Sequence, residues 1–183
     1  MNTTATPPHP QQARILVFTG DGKGKTTAAM GMALRAAGHN MQTCILQFLK
    51  QDSRTGEIAA FQHFPHVDIR QVGAGFVPKE GHPQFSHHQQ AAQRGLQTAT
   101  EVIASHKCKL IVLDEICTAV SLKLLSEHDV LKLISETQPG TILVLTGRGA
   151  TPGMCDKADT VTEMQCVKHG MYGGHPAQAG CEH

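Results

Sequence analysis

The sequence predicts one α/β domain built on a mainly parallel sheet of about six strands flanked by helices. Three observations carry that expectation. Leu110–Leu113 and Ile142–Leu145 are near-continuous aliphatic runs of the kind buried on both faces of a parallel sheet. Short apolar runs alternate with helical stretches along the chain. And 183 residues that are 40% apolar and 17% charged are enough for one sizeable core.

The elements follow in order. The first dozen residues are polar and proline-rich and read as a flexible tail over 1–13, with order beginning at Arg14. Ile15–Thr19 is the first strand, Thr26–Ala37 a helix rich in Ala and Met that Gly38 is expected to stop, and Thr43–Leu49 the second strand. Val67–Val72 reads as a third strand. Residues 73–88 form a long irregular loop, the kind that is more often functional than idle. Phe85–His106 is a Gln- and Ala-rich stretch with Leu96, Ala99, Val102 and Ile103 on one helical face. Ser126 and Asp129 form a capping box that opens a helix carrying Val130, Leu131, Leu133 and Ile134, which ends ahead of Pro139. Together residues 14–183 make one domain.

Composition excludes several classes. The chain has no Trp, one Tyr, six Phe and a net charge of +1, too few rings for base stacking and too little positive charge for a duplex-binding face, so no nucleic-acid partner is expected. Twelve His stand against that aromatic scarcity. No apolar run reaches the roughly 18 residues of a spanning helix, and MNTTATPPHPQQ has no signal-peptide character, so the expectation is a cytoplasmic protein with no membrane partner. Six cysteines without a CxxC pair read as reduced and structural.

The strongest chemical signal is Gly20-Asp21-Gly22-Lys23-Gly24-Lys25-Thr26-Thr27, placed between a strand and an apolar helix. Glycines let the backbone curl with its N–H groups inward, Lys25 supplies a point charge, and the helix N-terminus adds its dipole. The Thr26 hydroxyl can reach a magnesium ion, so the segment is built for a polyphosphate. The usual pattern, GxxxxGK followed by Ser or Thr, would need Gly where Thr19 stands; here the first Gly is Gly20 and the loop is one residue shorter.

The second half of such a site is an acid at the end of another buried strand. Asp114 and Glu115 both stand there, one of them a hard-cation ligand and the other free to cap the next segment. Arg148, on the Thr146–Gly149 turn, can meet phosphate or ribose at the same sheet edge, or form an ordinary surface ion pair. Asp156-Lys157-Ala158-Asp159 resembles a guanine-reading motif, but it has Asp in place of Asn and follows Pro152. A helical surface segment explains it better. His63 and His66, and the group His82, His87 and His88, lack a completing Cys or carboxylate, and read as solvated surface residues rather than a zinc site.

With GDGKGKTTAA (20–29), QFLK (47–50), TGE (55–57), VLDE (112–115), LTGRG (145–149), ADTVTEM (158–164), VKH (167–169) and AQAG (177–180) in this order, the chain resembles the ATP:corrinoid adenosyltransferases of the CobA, CobO and BtuR type. The resemblance implies a RecA-like P-loop fold, a homodimer, and transfer of the 5′-deoxyadenosyl group of ATP to cobalt(I) of a corrinoid. The acceptor would be cobalamin, cobinamide or cobyrinic acid a,c-diamide, with release of triphosphate, in adenosylcobalamin biosynthesis or salvage. It also implies an electron-donating reductase such as a flavoprotein. Carried onto matching positions, it gives catalytic roles to Lys25, Thr26 and Phe76 and nucleotide contacts to Gly20, Asp21, Gly22, Lys23, Gly24, Lys25, Thr26, Thr27 and Arg148. Mg2+ or Mn2+ falls to Thr26 and Glu115, and Lys50 and Glu57 also occupy motif positions. The family loop reads GFTW where this chain has Gly75-Phe76-Val77-Pro78, so the Trp position is Pro78, and the chain ends Cys181-Glu182-His183 where an aromatic is usual. Two other classes remain open on the residues alone: a generic P-loop ATPase or kinase, and a non-catalytic corrinoid chaperone or sensor.

Overall fold

The computed structural model describes residues 12–52 and 54–181. The element order is β1 (Arg14–Thr19), α1 (Lys25–Gly38), β2 (Thr43–Gln47), α2 (Gly56–Phe61), β3 (Val67–Gln71), α3 (Phe85–Ala104) and β4 (Leu110–Asp114). There follow α4 (Ile116–Ser121), α5 (Glu127–Ser135), β5 (Ile142–Thr146), α6 (Pro152–Lys157), β6 (Thr160–Glu163) and a short 3₁₀ turn at Gly170–Gly173. The six strands form one sheet in the order β3-β2-β4-β5-β1-β6, every pairing parallel. Parallel order places all six strand C-termini on one edge, where α/β proteins bind their ligands.

Each face of the sheet has its own core. On one, Cys44, Leu46, Ile111, Leu113, Leu143 and Leu145 pack against α3 to α6. On the other, Phe18, Ile45, Val112 and Val144 pack against α1 and Phe61 of α2. Ala29, Ala33 and Ala36 are the buried stripe of α1, and their small side chains let its axis lie close to the strands. The aliphatic runs of β4 and β5 are buried almost throughout, as strands covered on both faces must be.

Several expectations change in detail. Gly38 is the last residue of α1, which thus ends where expected, though within the helix rather than after it; the left-handed residue beyond is Asn40, at φ 55°. Residues 85–88 belong to the first turn of α3, so the irregular loop ends at Gln84. His88 is among the buried residues of that helix, whereas His82 and His87 are exposed, so the surface reading holds for only two of the three. The Ser126 cap forms as expected, its hydroxyl accepting the Asp129 N–H at 3.2 Å. Most of the predicted tail, residues 1–11, lies outside the described residues; Gln12 and Ala13 are tied to the fold, the Gln12 carbonyl accepting the Gly140 N–H and Ala13 packing on the core. The six cysteines are free thiols.

Candidate active site

β1 leaves the sheet at Thr19, and the chain turns through Gly20–Gly24 into α1, capped by Gly24 rather than by a side chain. The loop is pressed against the chain just beyond β6. The Gly22 N–H donates to the Met164 carbonyl at 2.6 Å, and a Cβ at Gly22 would lie 2.6 Å from the carbonyls of Met164 and Gln165. Gly20, at φ +91°, has equally little room against Met164. So these two glycines serve backbone-to-backbone contact with the β6 exit as well as loop curvature, and the Gly22 N–H is turned outward.

Lys25 lies 7% exposed, its ammonium donating to the carbonyls of Gly20 at 2.8 Å and Gly22 at 2.6 Å. Burial lowers its pKa, opposed by the charge of Glu115 and reinforced by Arg148. A desolvated cation in a curled loop at a helix N-terminus is the arrangement that attracts a multiply charged anion.

The acid that meets the loop is Asp114. Fully buried at the end of β4, it accepts hydrogen bonds from Thr26 Oγ1 at 2.8 Å and Thr146 Oγ1 at 2.7 Å on one oxygen. Its other oxygen accepts Gln47 Nε2 at 3.2 Å. Glu115, at φ 64°, is the N-cap residue of α4; its N–H donates to Thr146 Oγ1 and its carboxylate accepts the Thr118 hydroxyl. The two acids thus take different partners, Asp114 bonded to Thr26 and Glu115 to Thr118 of α4, while the Glu115 charge still reaches Lys25 in the loop. Thr146, Gln47 and Thr118 were not singled out in the sequence. A Gln and a Thr ending otherwise aliphatic strands is the signal that marks the first two.

Arg148 lies on the turn after β5. Its N–H donates to Thr118 Oγ1 at 2.8 Å, and its guanidinium stands 3.9 Å from the Asp21 carboxylate, both side chains exposed. Beyond β2, Lys50 pairs with Glu57 of α2, and Gln47 Nε2 bridges Glu57 and Asp114, so a polar chain runs from Lys50 to Thr26. Burial pushes the Glu57 pKa up, but the Lys50 ammonium, the backbone and the Gln47 amide together hold it below the ordinary value.

The structure therefore gathers Gly20 to Thr27, Arg148, Asp114 and Glu115 at the exits of β1, β4 and β5. Phe76 stands apart. It is 96% exposed, in the loop after the edge strand β3, and that strand stands four positions from β1 in the sheet. A Cβ at Gly73 would lie 2.3 Å from the Phe48 carbonyl, which pins the root of this loop to the β2 exit. Behind it, burial and the neighbouring His87 and His82 lower the pKa of His88. Among the described residues, no three His, Cys, Asp or Glu side chains form a metal-binding group. The guanine-like segment is structural: Asp159 Oδ2 accepts the Ile15 N–H at 2.7 Å, at the sheet edge opposite the loop.

Known proteins share both sequence and fold with this chain. The sequence model of the family "ATP:corrinoid adenosyltransferase BtuR/CobO/CobP" matches residues 11–183. A corrinoid adenosyltransferase of Pseudomonas aeruginosa is 40% identical over 169 residues, 92% of this chain and 82% of its own. Those of Escherichia coli K12 and Salmonella typhimurium, the latter named CobA, are 34% and 33% identical, each over 92% of this chain and 85% of its own. The KaiC-like protein PH0186 of Pyrococcus horikoshii shares the fold at a TM-score of 0.56 and 17% identity, covering 85% of this chain and 73% of that one. A shortened phosphate loop on a parallel sheet, continuous with these relatives from end to end, makes the chain a member of the ATP:corrinoid adenosyltransferase family on a RecA-like P-loop fold.

Proposed function

We propose that the C-terminal edge of the sheet transfers the 5′-deoxyadenosyl group of ATP to cobalt(I) of a corrinoid and releases triphosphate. The observation that carries the reading is the junction of the phosphate loop with the β4 acid, Thr26 on Asp114, in a chain of this family. Cobalt(I) is itself a strong nucleophile. Its electron pair forms the cobalt–carbon bond at the ribose C5′, the C5′–O bond breaks, and triphosphate leaves with the electron pair of the broken bond. No general base is required, so the protein's work is orientation and stabilisation of charge on the leaving group.

Lys25 and the amides at the start of α1 hold the triphosphate in this scheme. Lys23, Asp21, Thr27 and Arg148 border the same loop. Thr26, Asp114 and Glu115 offer only oxygen donors, a set that fits Mg2+ or Mn2+, with Thr26 and Glu115 as the ligands we assign. When bound, the ion neutralises part of the triphosphate charge. Phe76, exposed on its loop across the edge, is the residue we assign to the corrinoid, where its ring displaces an axial ligand so that cobalt(II) becomes reducible.

The same reading carries a homodimer, an electron-donating reductase such as a flavoprotein, and a cytoplasmic setting. No helix among the described residues is long and apolar enough to cross a membrane. The deciding experiment is anaerobic incubation with cob(I)alamin and ATP. Inorganic triphosphate and the spectrum of an alkylcobalt product are the expected outcome. Orthophosphate with ADP would make the protein a P-loop ATPase, ADP without orthophosphate a kinase, and binding without a spectral change a corrinoid chaperone.

A further inference from the structure

A second site lies at the opposite end of the sheet. Cys44 is the second residue of β2, and Cys108 stands two residues before β4. The Lys109 N–H donates to the Gln42 carbonyl at 2.8 Å and brings the two segments side by side. Cys44 is buried and Cys108 half-buried, and the two thiols are close enough for each to shift the titration of the other. Both line a cleft of about 710 Å³ between β2, β3 and the second half of α3, which also presents Asp68, Arg70, Glu101 and Lys107. That volume suits a molecule of a few hundred daltons.

The pair is asymmetric. Hydrogen bonding from Cys44 brings the Cys108 pKa down to about 7 against the effect of burial and of Asp68, with Arg70 assisting. The hydrogen bond to Cys108 and burial push Cys44 far upward. Burial sets the roles in the same order: half-buried Cys108 on the cleft is the accessible nucleophile, and buried Cys44 is the second thiol behind it.

We propose that Cys108 and Cys44 form a thiol–disulfide exchange site for a small, carboxylate-bearing disulfide of the oxidised-glutathione class. Lys107, and Arg70 in its ion pair with Asp68, line the cleft as partners for the carboxylates of such a molecule, and Glu101 as a partner for its ammonium group. The Cys108 thiolate attacks one sulfur of the disulfide; the S–S bond breaks and one small thiolate leaves, taking up the proton released by Cys108. Cys44 then loses its proton and attacks the Cys108 sulfur of the mixed disulfide, and the second small thiol departs with that proton. Two electrons pass from the protein dithiol to the small disulfide, leaving a Cys44–Cys108 bond.

The test treats the reduced full-length protein with oxidised glutathione and maps each cysteine by peptide mass spectrometry. A Cys44–Cys108 disulfide is expected before any change at Cys155, Cys166 or Cys181. Cys44→Ser, which keeps a hydroxyl donor, is expected to retain one glutathionyl group on Cys108, and Cys108→Ser to leave Cys44 unmodified. Modification of Cys181 ahead of Cys108, or no adduct on Cys108 in folded Cys44→Ser, overturns the proposal. If Cys44→Ser does not fold, wild-type alkylation by iodoacetamide at neutral pH decides. Cys108 is expected to react roughly threefold or more faster than Cys155, and a rate equal to or below that of Cys155 refutes the site.

Discussion

Asp114 is the residue on which the two halves of the site depend. Its carboxylate is buried and satisfied by three donors on three different elements, Thr26 on α1, Thr146 on β5 and Gln47 on β2. Asp114→Asn turns an NH2 group toward at least one of those donors. It is expected to cost about 1–3 kcal/mol in chemical denaturation, as for a buried group left without its partner, and to lower kcat by displacing Thr26. Unchanged stability with unchanged kcat would remove the carboxylate from both roles. Phe76 is the opposite case, fully outside the core. Phe76→Ala is expected to leave the denaturation midpoint within about 0.5 kcal/mol of wild type. Its turnover from cobalt(II) corrinoid should fall much further than turnover from prereduced cobalt(I), and equal losses on both would take the ring out of the reduction step. At this scale the sequence was most informative where chemistry is written as a contiguous run, from Gly20 to Thr27. It left Asp114 and Glu115 undivided, because which of two adjacent carboxylates faces the loop depends on the left-handed turn at Glu115, a backbone choice that only the packing of α4 determines.

Among the elements, α2 is a six-residue helix that propensity alone would not sustain, and it is tied to the sheet by polar contacts as well as by Phe61. Glu57 is its tether, held by Lys50 and by Gln47. Because the folded-state pKa of Glu57 lies below that of the free carboxyl, the folded protein binds fewer protons there than the unfolded chain does. This stabilisation is complete above the unfolded pKa, near 4.5, and is lost as pH falls through the lower, folded value. Glu57→Gln is therefore expected to lower stability at neutral pH by about 1 kcal/mol and to flatten the loss on acidification. A wild-type slope retained in the variant would assign the acid sensitivity to other carboxylates. The legible elements carry either a continuous aliphatic run, as β4 and β5 do, or a long periodic face, as α3 and α5 do. α2, α4 and β6 are short and mixed in composition and offer neither signal. β6 is exposed along its length and is a strand only because β1 pairs with it and Asp159 anchors its start. Gly38 did mark the end of α1, as its last residue, while the left-handed turn beyond it falls on Asn40, which tolerates that conformation.

For the whole molecule, parallel order decides where everything functional can be. Six strands exit on one edge, so residues as far apart in sequence as Lys25, Phe76, Asp114 and Arg148 share it, whereas the Cys44–Cys108 cleft falls at the other end. Tripolyphosphate needs only the loop after β1, whereas the corrinoid candidate Phe76 lies on the loop after β3, four strand positions along the sheet, so the anion site can be tested without the corrinoid. Tripolyphosphate with Mg2+, at about 100 times its Kd, stabilises a folded protein that binds it by about 2.7 kcal/mol. In a domain of this size that corresponds to a rise in Tm of about 8 °C. Lys25→Ala removes the buried ammonium together with its desolvation cost, so the apo variant should unfold close to the wild-type temperature while losing the tripolyphosphate shift and, with ATP, turnover. The comparison is internal to each protein, which separates a folding defect from a binding defect. Equal shifts in wild type and Lys25→Ala would place the anion away from the Gly20–Thr27 loop, and with it the leaving group of the reaction.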